Sequence, residues 1–495
     1  MAPRLALGRR RTWRNHTGNQ AIDALQIRRP GTLDEVVAAV QEAERRGVEA
    51  RAVGSGHSWS DVALTPGFLL QPEGLARPLS LEVPELRHGT NLESLVRVEA
   101  GMRIRDLNRH LDGEGLALSQ MGGYDGQTVA GVISTSTHGS GVGLPPLCDY
   151  VRSLDLVASG GRVHRIEPGA GPTDREAYEA RHPDRTLVQD DHWFDAALVG
   201  MGCLGVIYAV MLEVEPRYEL TEVRTLSSWE EVSEQLRSGE VLQGHRHLEV
   251  YLNPHRRKGR NACLVTTRDR AEPGAKRGGA RRRNSVPEFM ALLPITPHLL
   301  NALTDLRPSL TPRLLDGALE ALADEEFTGP SHRVLNIGTA NLLPAYSSEI
   351  AVPLDGRHIE AVERILAIAD RHRELGSVYH TSPISLRFVR ESRAYMSMMH
   401  GRDTMMMELI QMTRTEGGFE LLAAYEEALY DLEGRPHWGQ FNTLTGSHDL
   451  VRRLYPRYDA WQDVHGQLNA SRVFDGPFSK RTGISTHLAG PASTD

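Results

Sequence analysis

The sequence predicts an α+β protein in two parts, and three observations carry that prediction. Its 495 residues exceed what a single hydrophobic core usually organises. Segments of helical period and segments of strand period are mixed along the chain. Two stretches, 51–61 and 121–141, crowd glycine and hydroxyl residues together. Such stretches make poor core elements and suit backbone laid against a large flat ligand.

Composition narrows the class. Hydrophobic residues at 40% and charged residues at 24% describe an ordinary globular protein. Lys plus Arg, 56, against Asp plus Glu, 64, gives a net charge of −8, which argues against a nucleic-acid surface. Cys148, Cys203 and Cys263 show no paired metal spacing and no disulfide framework, so no metal site is expected and a reducing cytoplasm is the simplest home. No apolar run approaches the length of a membrane span. Arg9-Arg10-Arg11 is followed by polar residues, not by the apolar segment an export signal needs.

In chain order, Pro30-Gly31 break the chain, Thr32 and Glu35 form a capping box, and Val36, Val37, Val40 and Ala43 make an apolar stripe. Residues 30–47 therefore read as a helix, ended by Gly47, and 48–53 as a strand entering the first glycine turn. Residues 91–100 alternate as a strand, and 105–113 form a short helix with Leu107 and Leu111 four apart. The 131–141 stretch is expected to begin as a helix whose first N–H groups face the ligand. Two strands surround Gly160-Gly161 over 151–164, another runs through 204–214, and Pro216 marks a boundary, giving a first part over 1–217.

A second part, 218–433, reads as sheet plus helices. Strands at 247–252 and 262–267 precede a break from Arg268 to Asn284, rich in arginine and without a large apolar residue. A mobile surface loop over about 268–286 is the simpler account, and a basic docking patch the other. Helices follow at 289–303, interrupted at Pro294 and Pro297, and at 359–375. Strands at 384–389 and 404–412 and a helix at 421–432 complete this part, and 434–495 returns to the first.

The first glycine segment is Arg51-Ala52-Val53-Gly54-Ser55-Gly56-His57-Ser58-Trp59-Ser60-Asp61. Glycine without Cβ lets N–H groups approach an anion, serine adds hydroxyl donors, and successive N–H groups form a nest for phosphate oxygens. A glycine-rich turn whose histidine caps a carbonyl fits this segment alone equally well. The second segment, Met121-Gly122-Gly123-Tyr124-Asp125-Gly126-Gln127-Thr128-Val129-Ala130-Gly131-Val132-Ile133-Ser134-Thr135-Ser136-Thr137-His138-Gly139-Ser140-Gly141, shifts the balance, and Gly200-Met201-Gly202-Cys203-Leu204-Gly205-Val206-Ile207 adds a third match. Together they resemble the vanillyl-alcohol-oxidase type of FAD domain, in its aldonolactone and alditol oxidase branch. The resemblance implies a two-part PCMH-type FAD-binding domain with an α+β substrate cap, mainly antiparallel sheet plus helices. It places the FAD pyrophosphate against Val53, Gly54, Ser55, Gly56, His57 and Ser58. It places the rest of the cofactor against Gly122, Thr128, Ala130, Gly131, Ser134, Thr135, Thr137, His138, Gly139, Gly205 and Val206. It also implies a covalent link from His57 to the flavin 8α-methyl group, and a small residue, Ala130, beside the flavin edge where oxygen enters. His138 is expected to fix loop backbone, and Cys148 to be structural.

Oxidising an alcohol on flavin needs a C–H aimed at N5, an acceptor for the hydroxyl proton and a positive charge nearby. In the branch this chain resembles, a Glu-x-Arg pair and a His-Trp-Gly-Lys segment supply these. Here the matching segments are Ser385-Leu386-Arg387 and His437-Trp438-Gly439-Gln440. Arg387 and His437 match, whereas Ser385 stands for the glutamate and Gln440 for the lysine, as if an ion pair had been lost. Glu408, alternating with Met406 and Ile410 on one strand face, either replaces the missing carboxylate or pairs structurally with an arginine such as Arg387. The two roles are compatible. The methionines around 396–407 are expected in the core.

The resemblance implies an FAD-dependent enzyme oxidising a CH–OH group of a sugar-derived alcohol, polyol or lactone by hydride transfer to flavin N5, with O2 as acceptor giving H2O2. A dehydrogenase using another electron acceptor is the alternative within enzymes, and a flavin-binding protein that has lost catalysis lies outside them. The exchanges at Ser385 and Gln440 predict poor turnover of simple alditols and aldonolactones. They favour a larger substrate, either less polar (a sterol-like alcohol) or amino-bearing (an amino-sugar or glycoside).

Overall fold

The computed structural model describes residues 11–272, 274, 307–323, 326–337, 345–375, 378–445 and 448–485. The expected helix over 289–303 and most of the expected 268–286 loop lie outside the described residues.

The helix Leu33–Arg45 forms where the sequence places it: Thr32 Oγ1 accepts the Glu35 N–H at 3.2 Å, while the Glu35 carboxylate reaches back one residue further than expected, to Gly31 N–H at 2.6 Å. Leu33, Val36, Ala39, Val40 and Ala43 are buried, and this face joins a core with Phe68, Val157, Val206 and Phe474. Beside it lies a three-stranded parallel sheet with Phe68–Leu70 between Gln26–Arg28 and Ala50–Ala52. A six-stranded sheet follows, in the order Arg185–Gln189, Val163–Glu167, Val151–Val157, Val206–Glu213, Leu95–Glu99, Pro78–Leu79. The expected strand over 91–100 is confined to Leu95–Glu99, since Leu92–Ser94 closes into a 3-10 turn.

One buried side chain ties the pieces. Arg51 donates to the carbonyls of Val62 at 2.5 Å, Met201 at 2.5 Å and Phe474 at 2.9 Å. Next to it, Ala50 N–H bonds the Val473 carbonyl at 2.7 Å, and Arg481 pairs with Asp61 at 2.6 Å.

The second part is built on an eight-stranded antiparallel sheet. Its order is Glu326–Pro330, Glu219–Ser228, Ala262–Arg270, His247–Leu252, Ile384–Val389, Thr404–Met412, Ala345–Pro353, Arg435–Pro436. Side chains alternate between its two faces. One face buries Leu248, Val250, Leu386, Phe388, Met405 and Met407 in a core shared with the helices Trp229–Ser238, Arg357–Glu374 and Gly418–Glu427. The other carries Glu222, Glu249, Arg268, Glu349, Arg387 and Glu408, paired across strands and turned towards the first part. Arg268 corrects the expectation of a break beginning there. It lies inside the strand Ala262–Arg270, buried between Glu222 at 2.6 Å and Glu249 at 3.0 Å. Among the described residues no helix is long and apolar enough to cross a membrane.

Candidate active site

A cavity runs between the first part and this charged face, and its two walls are made differently. The first wall is backbone. No acceptor is present among the described residues for the N–H groups of Gly54, Ser55, Gly56, His57 and Ser58, which border the cavity as a nest for an anion. A Cβ on Gly54 would stand 2.4 Å from Thr128 Oγ1, and one on Gly205 2.5 Å from the Val157 carbonyl, so both positions demand glycine for close approach. Gly56 adopts φ +74°. Trp59 N–H and the Ser60 hydroxyl bond the carbonyls of Gly439 and Trp438, at 2.8 and 2.6 Å, which fixes the turn against the 437–440 segment.

The helix expected from 131 starts earlier, at Val129–Ser134, capped by Thr128. Its first N–H groups are already bonded, Val129 to Met102 O, Ala130 to Ala100 O and Gly131 to Thr128 Oγ1. They cannot serve a ligand, which corrects that expectation. The cavity is instead lined there by Thr128, Ala130, Gly131, Ser134, Thr135, Thr137 and His138, with Gly122 against Thr137 and with Gly205 also in the lining. Two residues expected in this wall are not in it. Val206 is buried in its strand opposite Val157, and Gly139 packs on Gln120 and the Met121 carbonyl.

His57 faces the cavity with its Nε2 3.1 Å from the Tyr124 hydroxyl and its ring 4.4 Å from that of His16. Burial, with His16, Arg103 and Arg105 adding positive charge, lowers it to about 4, so the imidazole is neutral at pH 7.

The second wall is side chains. Arg387 donates through Nε to Glu249 at 2.8 Å, leaving its outer nitrogens towards the cavity, where Nη2 lies 3.8 Å from Glu408. Glu249 is itself clamped by Arg268 and receives the Ser385 hydroxyl at 3.4 Å. Ser385 lies behind the cavity surface, holding Glu249, and does not line the site. Among the described residues Glu408 has that one ion-pair partner, and it otherwise fronts the cavity. Burial and the Glu349 and Glu249 carboxylates push it up to about 7, against the pull of Arg387.

Glu349, directly across from Glu408 in the neighbouring strand, bonds His138 Nε2 at 3.1 Å. The other nitrogen of His138 faces the Gly139 carbonyl at 2.8 Å. Both ring nitrogens of His138 therefore face oxygen acceptors. Burial alone would raise Glu349, and His138 more than offsets that, keeping it low, at about 2. His437 is lowered to about 4 by burial. Its Nδ1 accepts the Gly439 N–H at 3.0 Å, so Nε2 carries the proton and is a donor. Gln440 borders the same space, and its amide oxygen is buried without a partner among the described residues.

Sequence reasoning missed Glu249, Glu349 and Tyr124. The argument used for Glu408, a carboxylate inside an apolar strand, applies equally to Glu249 in His247–Leu252, whereas Glu349 lies in Ala345–Pro353, a strand the sequence does not announce.

Residues 210–482, more than half of the chain, match the family model of D-arabinono-1,4-lactone oxidase. The chain belongs to that family. Residues 24–167 match an FAD binding domain, and the glycine cradle fits that cofactor. L-Gulono-1,4-lactone dehydrogenase of Mycobacterium tuberculosis is 29% identical over 474 residues, covering 95% of this chain and 98% of its own. Alditol oxidase of a Streptomyces species is 28% identical over 469 residues, covering 94% and 97%. In fold, the chain resembles the solved cholesterol oxidase of B. sterolicum, with a TM-score of 0.77 at 14% identity and 96% of each chain covered. The protein is thus an FAD-dependent oxidoreductase of the aldonolactone oxidase branch with the α+β, PCMH-type fold.

Proposed function

We propose that the protein oxidises a CH–OH group of a sugar-derived alcohol, polyol or lactone to a carbonyl or lactone, using O2 as acceptor. The observation that supports this best is Glu408, a carboxylate at the cavity surface raised to about 7 beside a fixed arginine. A base is most useful when its proton affinity sits near the working pH. FAD, when bound, supplies the hydride acceptor. Glu408 takes the hydroxyl proton, Arg387 presents a charge fixed by Glu249, and His437 Nε2–H and the Gln440 amide orient the substrate oxygens. Glu249 supplies to Arg387 the carboxylate that the resemblance places at 385.

His57 is the residue that carries the flavin covalently. Its neutral imidazole at the cavity surface supports this, since only the unprotonated ring is a nucleophile. Acid precipitation should leave flavin in the pellet for the wild type and in the supernatant for His57→Ala; free flavin from the wild type would make the bond non-covalent. Ala130, small and at the cavity wall, supports O2 as the acceptor. The dehydrogenase relative favours the alternative, and oxygen uptake in air compared with dye reduction under argon separates the two. Cys148, Cys203 and Cys263 are free and buried, which fits a cytoplasmic protein.

The test of the reaction is an anaerobic screen of polyols, lactones and glycosides for bleaching of the bound flavin. Failure of all of them would leave a flavin-binding protein without this activity.

A further inference from the structure

Along the strand Thr404–Met412, Met406, Glu408, Ile410 and Met412 share the face turned to the cavity. Moving from Glu408 to Met412 covers about 13 Å at roughly 3.3 Å per residue. Over that distance the carboxylates end and the wall becomes apolar. Ile410 and Met412 border the cavity along this strand, and Tyr251 and Leu264, two and three strands across the sheet and level with Glu408, border it sideways. The helix Thr311–Leu322 covers the Leu264 side, with Leu319 and Leu322 packed on Leu264 and also lining the cavity. The polar groups beside these apolar residues include Ser382, Gln440, the Tyr251 hydroxyl and Arg224, which lies across the sheet in the row of Arg387. A polyhydroxylated chain laid here would give up its water for hydrocarbon, with too few partners for its hydroxyls. An apolar chain would gain from the same burial.

We infer that the substrate is an amphiphilic alcohol, with a hydroxylated head at Glu408, Arg387 and Gln440 and an alkyl or aglycone body along Ile410, Met412, Leu264, Leu319 and Leu322. This rests on the reading of the site as a CH–OH oxidising centre and names the class of molecule that fills it. The buried amide oxygen of Gln440, at the junction, accepts a hydrogen bond from a head-group hydroxyl, which a lysine there would not do.

The experiment compares n-octyl β-D-glucopyranoside, below its micelle concentration, with methyl β-D-glucopyranoside, which has the same head. Xylitol and gulonolactone are the small polar controls. The FAD-loaded enzyme is used, read by anaerobic flavin bleaching and by kcat/KM. The octyl compound should exceed the methyl compound by at least about 100-fold, as burial of several methylenes implies. Ile410→Asn on the sheet and Leu322→Gln on the helix should each cut the octyl-to-methyl ratio by about tenfold. Thermal melting and flavin content decide whether each variant is folded and loaded, and one that is folded and loaded suffices.

The inference is overturned by equal turnover of the two glucosides, by faster turnover of xylitol or gulonolactone, or by an unchanged ratio in a folded variant. In those cases bleaching still occurs and the reaction class stands. Bleaching by none of the compounds, nor by any in the wider screen, removes the reaction class itself.

Discussion

Where the cavity meets residues 53–58 the protein offers backbone amides and glycines, and where it meets the eight-stranded sheet it offers charged side chains paired across strands. The first wall recognises by closeness, since a Cβ at Gly54 would collide with Thr128. The second recognises by charge, since Glu249, Arg268, Arg387 and Glu408 hold one another in a largely buried chain of ion pairs. A backbone wall is sensitive to any side chain placed in it. A wall of ion pairs is sensitive to removal of one partner and tolerant of exchanges that keep the pairs intact.

The largest effect should come from breaking the backbone wall. Gly54→Asp is expected to abolish FAD binding altogether, because the carboxylate both clashes and repels the pyrophosphate; visible flavin absorbance of the purified protein checks this. Glu408→Gln should keep its flavin and lose about 10²–10⁴-fold in kcat, as removal of a general base does. In the wild type, kcat/KM should rise with pH through about 7, because Glu408 must be deprotonated to accept the proton, and the variant should lose that rise. Glu249→Ala leaves Arg387 and Arg268 without a shared carboxylate, and a stability loss of about 3–5 kcal/mol in denaturant unfolding is expected.

Sharpening the comparison needs an exchange within the charged wall. Ser385→Glu alone sets a second carboxylate against Glu249 and should destabilise, whereas Ser385→Glu with Glu249→Ser should recover much of that loss. The smallest effect belongs to Ser385→Ala, which removes one 3.4 Å hydrogen bond. Its cost should stay within about 1 kcal/mol, and kcat should hold within about threefold. A loss as large as that of Glu408→Gln would return Ser385 to the catalytic group.

The same contrast explains what the sequence disclosed. A wall made from backbone must be written in glycine and serine, and that wording is local: of the positions named from it in 53–58 and 122–139 and at 205–206, all but Gly139 and Val206 border the cavity. The strands Ile384–Val389 and Thr404–Met412 were legible to the residue, because the first alternates around Arg387 and the second is an apolar run broken by a lone Glu408. Glu219–Ser228 and Ala345–Pro353 were not. The first puts Glu222 and Arg224 on a buried face, and the second is buried on both faces with two serines and a glutamate inside it. Neither shows the alternation that marks a half-buried strand. Pairings such as Arg387 with Glu249 join strands far apart in sequence, so no local pattern announces them.

Arg51 bears on how the protein is made. It sits at the start of the flavin-side turn, yet its anchor at the Phe474 carbonyl lies 423 positions later in the chain. Asp61 waits similarly for Arg481. During synthesis at about 5–20 residues per second, the first turn is out of the ribosome long before its supports exist. Cofactor capture should therefore wait for residues 473–481, and a chain truncated before residue 473 should never become yellow, however complete its glycine motifs.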